Sequence, residues 1–235
     1  MELWYEQPAK NWEEALPVGN GRLGAMIAGS PDQETIWLNE DSIWSGKPLN
    51  RINPDAKKYL PYIREMIRQG NIANAESLSL KALAGTPNSE RAYQSAGELY
   101  IKFKNGGEWH NYRRALDLNK GISTVQYVVD GTKYKREMFA SFPEQVMVLH
   151  MKAEGKGTLD FCCHLERCHN RTDEVWAQEN TIGFVVDGGK GISFSVQLAV
   201  YTDEGDVYPI GEHLLVEGAK EAVIYINIET SFREK

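Results

Sequence analysis

The sequence predicts a mainly β protein, built as a large antiparallel β-sandwich with a short two-helix insert. Apolar residues alternate with polar ones over much of the chain, and turn residues separate these segments about every ten residues. Only the stretch 53–84 shows helical spacing instead. Strands that follow each other so closely favour an antiparallel sandwich over a parallel sheet, because parallel strands need longer crossover connections.

Three segments show the alternation most clearly: residues 98–103 (ELYIKF), 192–200 (ISFSVQLAV) and 221–228 (EAVIYINI). In each of them apolar residues recur at every second position. Because successive side chains of a strand point to opposite faces of a sheet, each segment is predicted to be a half-buried strand. Residues 158–166 (TLDFCCHLE) alternate in the same way and predict a further strand.

Turn residues separate these strands. Asp130-Gly131 lies between two alternating runs and is a strong hairpin signal. Residues 188–191 (GGKG) separate another pair of strands. Residues 19–24 (GNGRLG) match the dinucleotide-binding pattern G-x-G-x-x-G, but the flanking sequence provides neither the preceding strand nor the following helix. We therefore predict a tight turn there, followed by a strand over 23–28.

The stretch 53–84 is predicted to form two short helices between the early and the later strands. Leu60, Ile63 and Ile67 recur at helical spacing, and a second helical pattern follows Gly70. Pro61 is expected either to start the first helix or to kink it.

Composition narrows the class of partner. The chain has 26 Lys+Arg against 33 Asp+Glu, a net charge of −7 and a pI of about 5.4, which argues against nucleic acid or an anionic membrane. No apolar run approaches the ~18–20 residues of a membrane span. The first residues lack the basic and apolar regions of a signal peptide. We therefore expect a cytoplasmic protein from the sequence as given, or a secreted or periplasmic one if a leader has been removed.

The sequence predicts no metal site and no cofactor. Residues 162–164 (CCH) are followed by 168–169 (CH), a composition that zinc sites use. However, Cys162 and Cys163 are neighbours on a predicted strand and should face opposite sides of the sheet. The separated Cys-x2-Cys pairs of zinc sites are absent.

Residues 38–46 (LNEDSIWSG) form the strongest candidate binding loop. Asn39, Glu40, Asp41 and Trp44 are predicted to face a substrate or a neighbouring domain, because amides and carboxylates bind sugar hydroxyls and an indole can pack on a pyranose. The alternative is that the polar side chains satisfy turn backbone groups and the indole fills the core. Both readings remain open for this loop.

The sequence predicts a structural place for two other early tryptophans and no catalytic residue. For Trp4 and Trp37 we predict a place in the core, where large aromatic residues are usually found. Glu40 and Asp41 are adjacent, and a glycosidase needs two carboxyl groups that flank one bond at ~5–9.5 Å. No catalytic residue is therefore predicted.

Residues 12–26 (WEEALPVGNGRLGAM) and 36–46 (IWLNEDSIWSG) closely resemble the opening of glycoside hydrolase family 95. That family is typified by α-L-fucosidases and includes some α-L-galactosidases. The resemblance continues through 93–100 (YQSAGELY) and 134–141 (YKREMFAS) and reaches 230–232 (TSF), so it covers the whole chain. The sequence departs from the family at positions 95–96, Ser-Ala instead of Pro-Leu.

The resemblance implies that residues 1–235 are one N-terminal β-sandwich domain, a super-sandwich of the galactose-mutarotase-like kind. In the family an (α/α)6 barrel follows this domain and carries the acid and base of the inverting reaction. The resemblance therefore assigns no catalytic residue to this chain. The chain alone is expected to be inactive. Its expected partners are the catalytic barrel of the same polypeptide and, in the intact enzyme, a fucosylated or related glycan. The alternative is a free-standing carbohydrate-binding module with Trp44, Trp109 and Trp176 as exposed platforms.

Overall fold

The computed structural model describes residues 1–104, 106–167 and 174–233, and in these ranges the chain forms two antiparallel sheets and two α-helices. The strands are β1 (Glu2–Tyr5), β2 (Leu16–Gly19), β3 (Leu23–Ile27), β4 (Gln33–Glu40), β5 (Gly97–Phe103), β6 (His110–Asp117), β7 (Ile122–Val129), β8 (Thr132–Ser141), β9 (Val146–Glu154), β10 (Leu159–Glu166), β11 (Glu174–Gln178), β12 (Thr181–Val186), β13 (Phe194–Thr202), β14 (Asp206–Ile210), β15 (His213–Ala219) and β16 (Glu221–Thr230). The helices are α1 (Ala56–Arg68) and α2 (Ile72–Ala82), and a 3-10 turn covers Trp12–Glu14.

The two sheets pack face to face as a sandwich. The nine-stranded sheet has the order β1-β6-β7-β8-β9-β16-β13-β12-β11, and the seven-stranded sheet has the order β14-β15-β10-β5-β4-β3-β2. Neighbouring strands in both sheets pair antiparallel. The predicted mainly β sandwich with a two-helix insert is therefore confirmed.

The core lies between the sheets and is built from the alternating rows that the sequence shows. Ile36 and Leu38 on β4, and Leu99 and Ile101 on β5, have at most 2% of their surface exposed. The apolar row of β16 is equally buried. This burial of apolar side chains from both sheets stabilises the sandwich.

The predicted turns are confirmed. Asp130 and Gly131 join β7 to β8 with φ of 46° and 74°, the positive values that a two-residue hairpin loop requires. The motif at 19–24 is the turn between β2 and β3. There Gly21 has φ of 94°, and the Asn20 side chain accepts bonds from the backbone N–H groups of Arg22 and Leu23. A strand follows this turn, so the geometry of a dinucleotide site is not present.

The helical insert forms its own small cluster. Ile63, Ala75 and Ala82 are buried between α1 and α2. Pro61 lies inside α1, which begins at Ala56, so of the two alternatives for Pro61 the first, a helix start, is wrong. No helix in the described ranges is both long and apolar enough to span a membrane.

The prediction that Trp4 and Trp37 fill the core is wrong. Trp4 lies on the edge strand β1, is 51% exposed and has the guanidinium of Arg113 at 5.0 Å from its ring. Trp37 lies between the buried residues Ile36 and Leu38. Alternation therefore turns Trp37 to the outer face of the seven-stranded sheet, where it is partly exposed.

The core-facing row of β4 carries a carboxylate at each end. Glu34 and Glu40 flank Ile36 and Leu38 in the buried phase of the strand, with 1% and 0% of their surface exposed. Glu34 Oε2 lies 3.3 Å from Nη1 of Arg136 on β8, and its Oε1 accepts two backbone N–H groups. This buried ion pair joins the two sheets at one end of the sandwich, and Glu40 occupies the corresponding place at the other end.

Candidate functional site

Several loops meet at the end of the sandwich that contains Glu40, and we call this region the Trp44 end. The strand pairing places the end of β4 beside the starts of β3 and β5, and the end of β8 beside the start of β9. The Arg22 side chain after β2 donates to Gln145 between β8 and β9, so the connections of both sheets meet at the same end. The Trp44 end consists of residues 20–22, 41–46, 91–94, 142–145, 187–193 and 231–233.

Glu40 anchors these loops from the interior. Its Oε1 accepts a bond from Arg233 Nε at 3.1 Å and lies 3.8 Å from Nη1 of Arg22. Its Oε2 accepts the backbone N–H and the hydroxyl of Ser42 at 2.7 and 2.6 Å, and Ser42 Oγ lies 2.8 Å from Oγ1 of Thr230. Because Glu40 has no exposed surface, it acts on this end of the protein through the groups that it holds.

Asp41 is adjacent to Glu40 but lies in a different environment. Its side chain is 48% exposed and accepts a bond from Nη2 of Arg233. The hydrogen bonds to Asp41 and Glu40 raise the pKa of the Arg233 guanidinium, which therefore stays charged. Because both carboxylates bind the same arginine and one of them is buried, they do not flank an open space as a glycosidase pair does. We assign neither of them a catalytic role.

Tyr93 connects Trp44 with Asn39. The Tyr93 hydroxyl lies 2.6 Å from Oδ1 of Asn39 and 2.6 Å from the backbone oxygen of Glu40, and its ring packs edge-on against Trp44 with 5.0 Å between centroids. Burial raises the pKa of the Tyr93 phenol. The hydrogen bond to Asn39 lowers this pKa and the Glu40 and Asp41 carboxylates raise it, so that the pKa lies above its ordinary value. The phenol is therefore a protonated donor at neutral pH.

We expect Tyr93→Phe to lower the free energy of unfolding by about 1 kcal/mol, because Oδ1 of Asn39 and the partly buried backbone oxygen of Glu40 lose the hydroxyl that they share. Urea unfolding followed by tryptophan fluorescence measures this change. Tyr62→Phe is the matched control, since Tyr62 is 60% exposed on α1 and its loss should stay within about 0.5 kcal/mol. Equal losses in the two variants would show that the Tyr93 hydroxyl holds nothing in place.

A cavity of about 570 Å³ opens beside Trp44. Its apolar wall consists of Trp44, Pro48, Leu49, Ile192 and Phe232. Its charged residues are Asp41, Lys47, Arg51, Glu90 and Arg91. This combination of an apolar wall with a charged rim is typical of a surface that binds a partner or a ligand.

A second cavity of about 410 Å³ shares Trp44 with the first and is more polar. Arg167 lines it together with Gln94 and Asp187. Nη2 of Arg167 donates to Oε1 of Gln94 at 2.6 Å, and the guanidinium lies 4.9 Å from the ring of Phe194. Burial lowers the pKa of Arg167, but arginine remains protonated in proteins, so this cavity contains a fixed positive charge.

The structure brings two of the four predicted loop residues to one cavity. Asp41 and Trp44 line the 570 Å³ cavity, whereas Glu40 lies in the core and Asn39 lies on the outer face of the seven-stranded sheet. Sequence reasoning missed the two arginines that bind Glu40. Arg22 lies in the glycine-rich motif interpreted as a turn, and Arg233 is 193 positions away from Glu40 in the sequence.

Two of the three tryptophans predicted as sugar platforms are partly buried. Trp109 is partly buried against the core, with its ring 5.3 Å from that of Tyr112. Trp176 covers Gly183 so closely that a Cβ at that position would lie 2.3 Å from Cζ2 of the indole. Trp44 is 45% exposed and keeps an open face.

Within the described residues, no cluster of three or more His, Cys, Asp or Glu side chains could hold a metal ion. Cys163 is fully buried while Cys162 is partly exposed, so the two thiols face opposite sides of β10, as the alternation predicts. Burial raises the pKa of both thiols. Residues 168–169, which belong to the same candidate cluster, lie outside the described residues.

Comparisons with known proteins identify relatives over the whole chain. The family described as "Glycosyl hydrolase family 65, N-terminal domain" matches residues 3–235. A protein named "Alpha-L-fucosidase 2" from Arabidopsis thaliana is 31% identical over 259 residues, which cover 99% of this chain and 30% of that protein. A protein named "Probable alpha-fucosidase A" from Aspergillus niger is 35% identical over 162 residues, which cover 64% of this chain and 20% of that protein.

A solved structure shares the fold. It is described as a candidate kojibiose phosphorylase from the human microbiome, and it matches 98% of this chain and 32% of its own length with a TM-score of 0.52. Its sequence identity of 10% means that this likeness concerns the fold alone. The chain thus spans about a third or less of the length of the relatives that it matches.

Proposed function

We propose that this chain, which belongs to the family described as glycosyl hydrolase family 65, N-terminal domain, is part of a larger enzyme. It is the non-catalytic domain of a glycoside hydrolase resembling inverting α-L-fucosidases. In this proposal, the chain packs against a helical catalytic barrel of the same polypeptide and helps to shape its active site. The substrate of the intact enzyme is a fucosylated or related glycan. Support comes from the fucosidase names of two relatives and from the 30% of the Arabidopsis protein that the chain spans.

The family membership also confirms the resemblance to fucosidase-like glycoside hydrolases that the two early motifs predict. The motifs resemble family 95, whereas the matching family description gives the number 65. The relatives named as fucosidases are the finding that connects the chain to this activity.

The uncovered apolar surface of the Trp44 end is the observation that carries the proposal. Trp44, Phe142 and Phe232 are 45%, 70% and 65% exposed. Exposed aromatic residues grouped at one place are typical of a surface that another protein segment covers. The buried Glu40 carboxylate fixes the loops that present them, and a rigid support is what a domain contact requires.

The four predicted loop residues have different parts in this proposal. Trp44 and Asp41 face the barrel directly from the 570 Å³ cavity. Glu40 is a positioning residue that holds Arg22 and Arg233, and Asn39 acts through its bond with Tyr93.

In the intact enzyme, Trp44→Ala is expected to lower kcat/KM for a fucosylated oligosaccharide by about tenfold or more. The reason is that small displacements of residues around an active site cost large factors in rate. Steady-state kinetics measure this effect, and Trp4→Ala is the matched control. Trp4 has a similar exposure but lies on the edge strand β1, so we expect its kcat/KM to stay within about twofold of the wild type.

Two results would contradict the proposal. One is a Trp44→Ala enzyme with wild-type kinetics and an unchanged melting temperature. The other is a stop codon directly after codon 235, because the proposed barrel would then be missing from the polypeptide. A reading frame that continues into a helical domain is the expected result.

A further inference from the structure

A third cavity, of about 490 Å³, lies on the outer face of strands β2 to β5. We call it the outer groove. The residues that matter for its chemistry are Trp12, Met26, Trp37, Asn39, Tyr93 and Glu98. Neither the sequence comparison nor the proposed role of the Trp44 end gives this groove a function.

Strand register explains why two indoles line the outer groove. Trp37 on β4 pairs with Met26 on β3 and with Glu98 on β5, so these three side chains form one row across the outer face. Trp12 belongs to the 3-10 turn that precedes β2 and is 53% exposed. Gly24 pairs with Asn39 in the next row and adds no side chain, which keeps the floor of the groove low.

Unused hydrogen-bonding groups accompany these rings. The Tyr93 hydroxyl holds Oδ1 of Asn39, while in the described part of the chain the amide nitrogen of Asn39 donates to no protein acceptor. Tyr100 donates to Oε2 of Glu98, and Oε1 of Glu98 binds no donor in the described ranges. The groove therefore offers one donor and one acceptor beside its aromatic rings.

We propose that the outer groove binds a neutral pyranose oligosaccharide. An indole face matches the C–H-rich face of a pyranose ring, and the Asn39 amide and Glu98 carboxylate can bind its hydroxyl groups. Among the described residues that line the groove, Glu98 is the only charged one, so an anionic sugar would meet a negative charge there. This proposal does not depend on the contact between the Trp44 end and a barrel.

The aromatic surface continues beyond the groove, which favours an oligosaccharide over a single sugar. On the same outer face, the ring of Tyr100 stacks on that of His164 at 5.2 Å, and His164 lies 4.8 Å from the ring of His213. Burial, together with His213, lowers the pKa of His164, so this imidazole is neutral at neutral pH. These rings extend the surface across β5, β10 and β15 without adding a positive charge from His164.

Calorimetric titration of the 235-residue chain tests the proposal. The neutral probes are cellotetraose and 2′-fucosyllactose, and the anionic probe is tetragalacturonate. We expect saturable binding of at least one neutral probe with a Kd of about 1 mM or below, and binding of the anionic probe at least about tenfold weaker. Trp12→Ala should weaken the neutral probe by about tenfold or more, because an aromatic anchor is removed.

Three further variants separate the outer groove from other sites. Trp4→Ala and Phe232→Ala should bind the neutral probe like the wild type, since neither residue lines the groove and Phe232 belongs to the Trp44 end. Glu98→Gln keeps an acceptor but removes the charge, and should narrow the difference between the neutral and anionic probes. Trp12 lies on a turn with no buried residues, so Trp12→Ala should keep the wild-type circular dichroism spectrum.

The proposal is overturned if neither neutral probe binds at concentrations up to about 10 mM. It is also overturned if Trp12→Ala binds like the wild type, or if Phe232→Ala loses binding while Trp12→Ala keeps it. The last result would place a sugar site at the Trp44 end, and the proposed domain contact would be tested separately by enzyme kinetics.

Discussion

Glu40→Ala is expected to lower the free energy of unfolding by about 3 kcal/mol or more. The substitution leaves the Arg22 guanidinium, whose side chain is only 10% exposed, without its buried carboxylate, and breaking a buried pair costs ~3–5 kcal/mol. It also removes the acceptor of both bonds from Ser42. Urea unfolding of the chain measures the change.

Asp41→Ala is the matched control for this prediction. Asp41 carries the same charge, is the next residue and binds the same Arg233, but it is 48% exposed, and exposed ion pairs contribute only ~0–1 kcal/mol. Similar losses in the two variants would mean that burial of Glu40 does not anchor the Trp44 end.

Arg136→Met is expected to lower the free energy of unfolding by about 3–5 kcal/mol, because it breaks the buried ion pair at the opposite end of the core. Arg136 is 3% exposed, lies over the rings of Phe103 and Tyr127, and pairs with Glu34, which is 1% exposed. Methionine fills similar space but leaves a carboxylate unpaired in the core. The double variant with Glu34→Gln removes both charges and should recover at least about 1 kcal/mol of the summed single losses.

The free energy of unfolding that the Arg136→Met variant loses should also depend on pH. Burial raises the pKa of Glu34, and Arg136 counteracts this, so the variant raises that pKa further. When the pKa of a carboxyl group is higher in the folded protein than its unfolded value of ~4.5, the folded protein becomes less stable as the pH rises above that value. The difference from the wild type should therefore be larger at pH 7 than at pH 5. If the Arg136→Met variant lost the same free energy of unfolding at both pH values, and the single losses were additive, Glu34 and Arg136 would not be coupled in the core.

Strand alternation predicted most of the fold because the two-residue period of a strand is a local property. The buried rows of β5, β13 and β16 follow directly from it. The same rule explains the error at Trp37. Its neighbours Ile36 and Leu38 occupy the inner face, so alternation places Trp37 on the outer face, whatever the size of its side chain.

The candidate site was predictable only in part, because its contacts join distant parts of the chain. The loop with Asp41 and Trp44 stands out in the sequence by its composition. The residues that contact this loop do not stand out in the same way. Arg22 precedes the loop, and Phe232 and Arg233 follow it by about 190 positions. Only the packing of the two sheets brings these residues together. No local pattern contains that information.

We propose that the Trp44 end is the surface through which this domain contacts a catalytic barrel. Hydrogen–deuterium exchange of the backbone amides, compared between the 235-residue chain and the intact enzyme, tests it most directly. We expect exchange at residues 41–46, 142–145 and 187–193 to become at least about tenfold slower in the intact enzyme, while β1 exchanges equally in both. Equal exchange at the Trp44 end in the two proteins would contradict it.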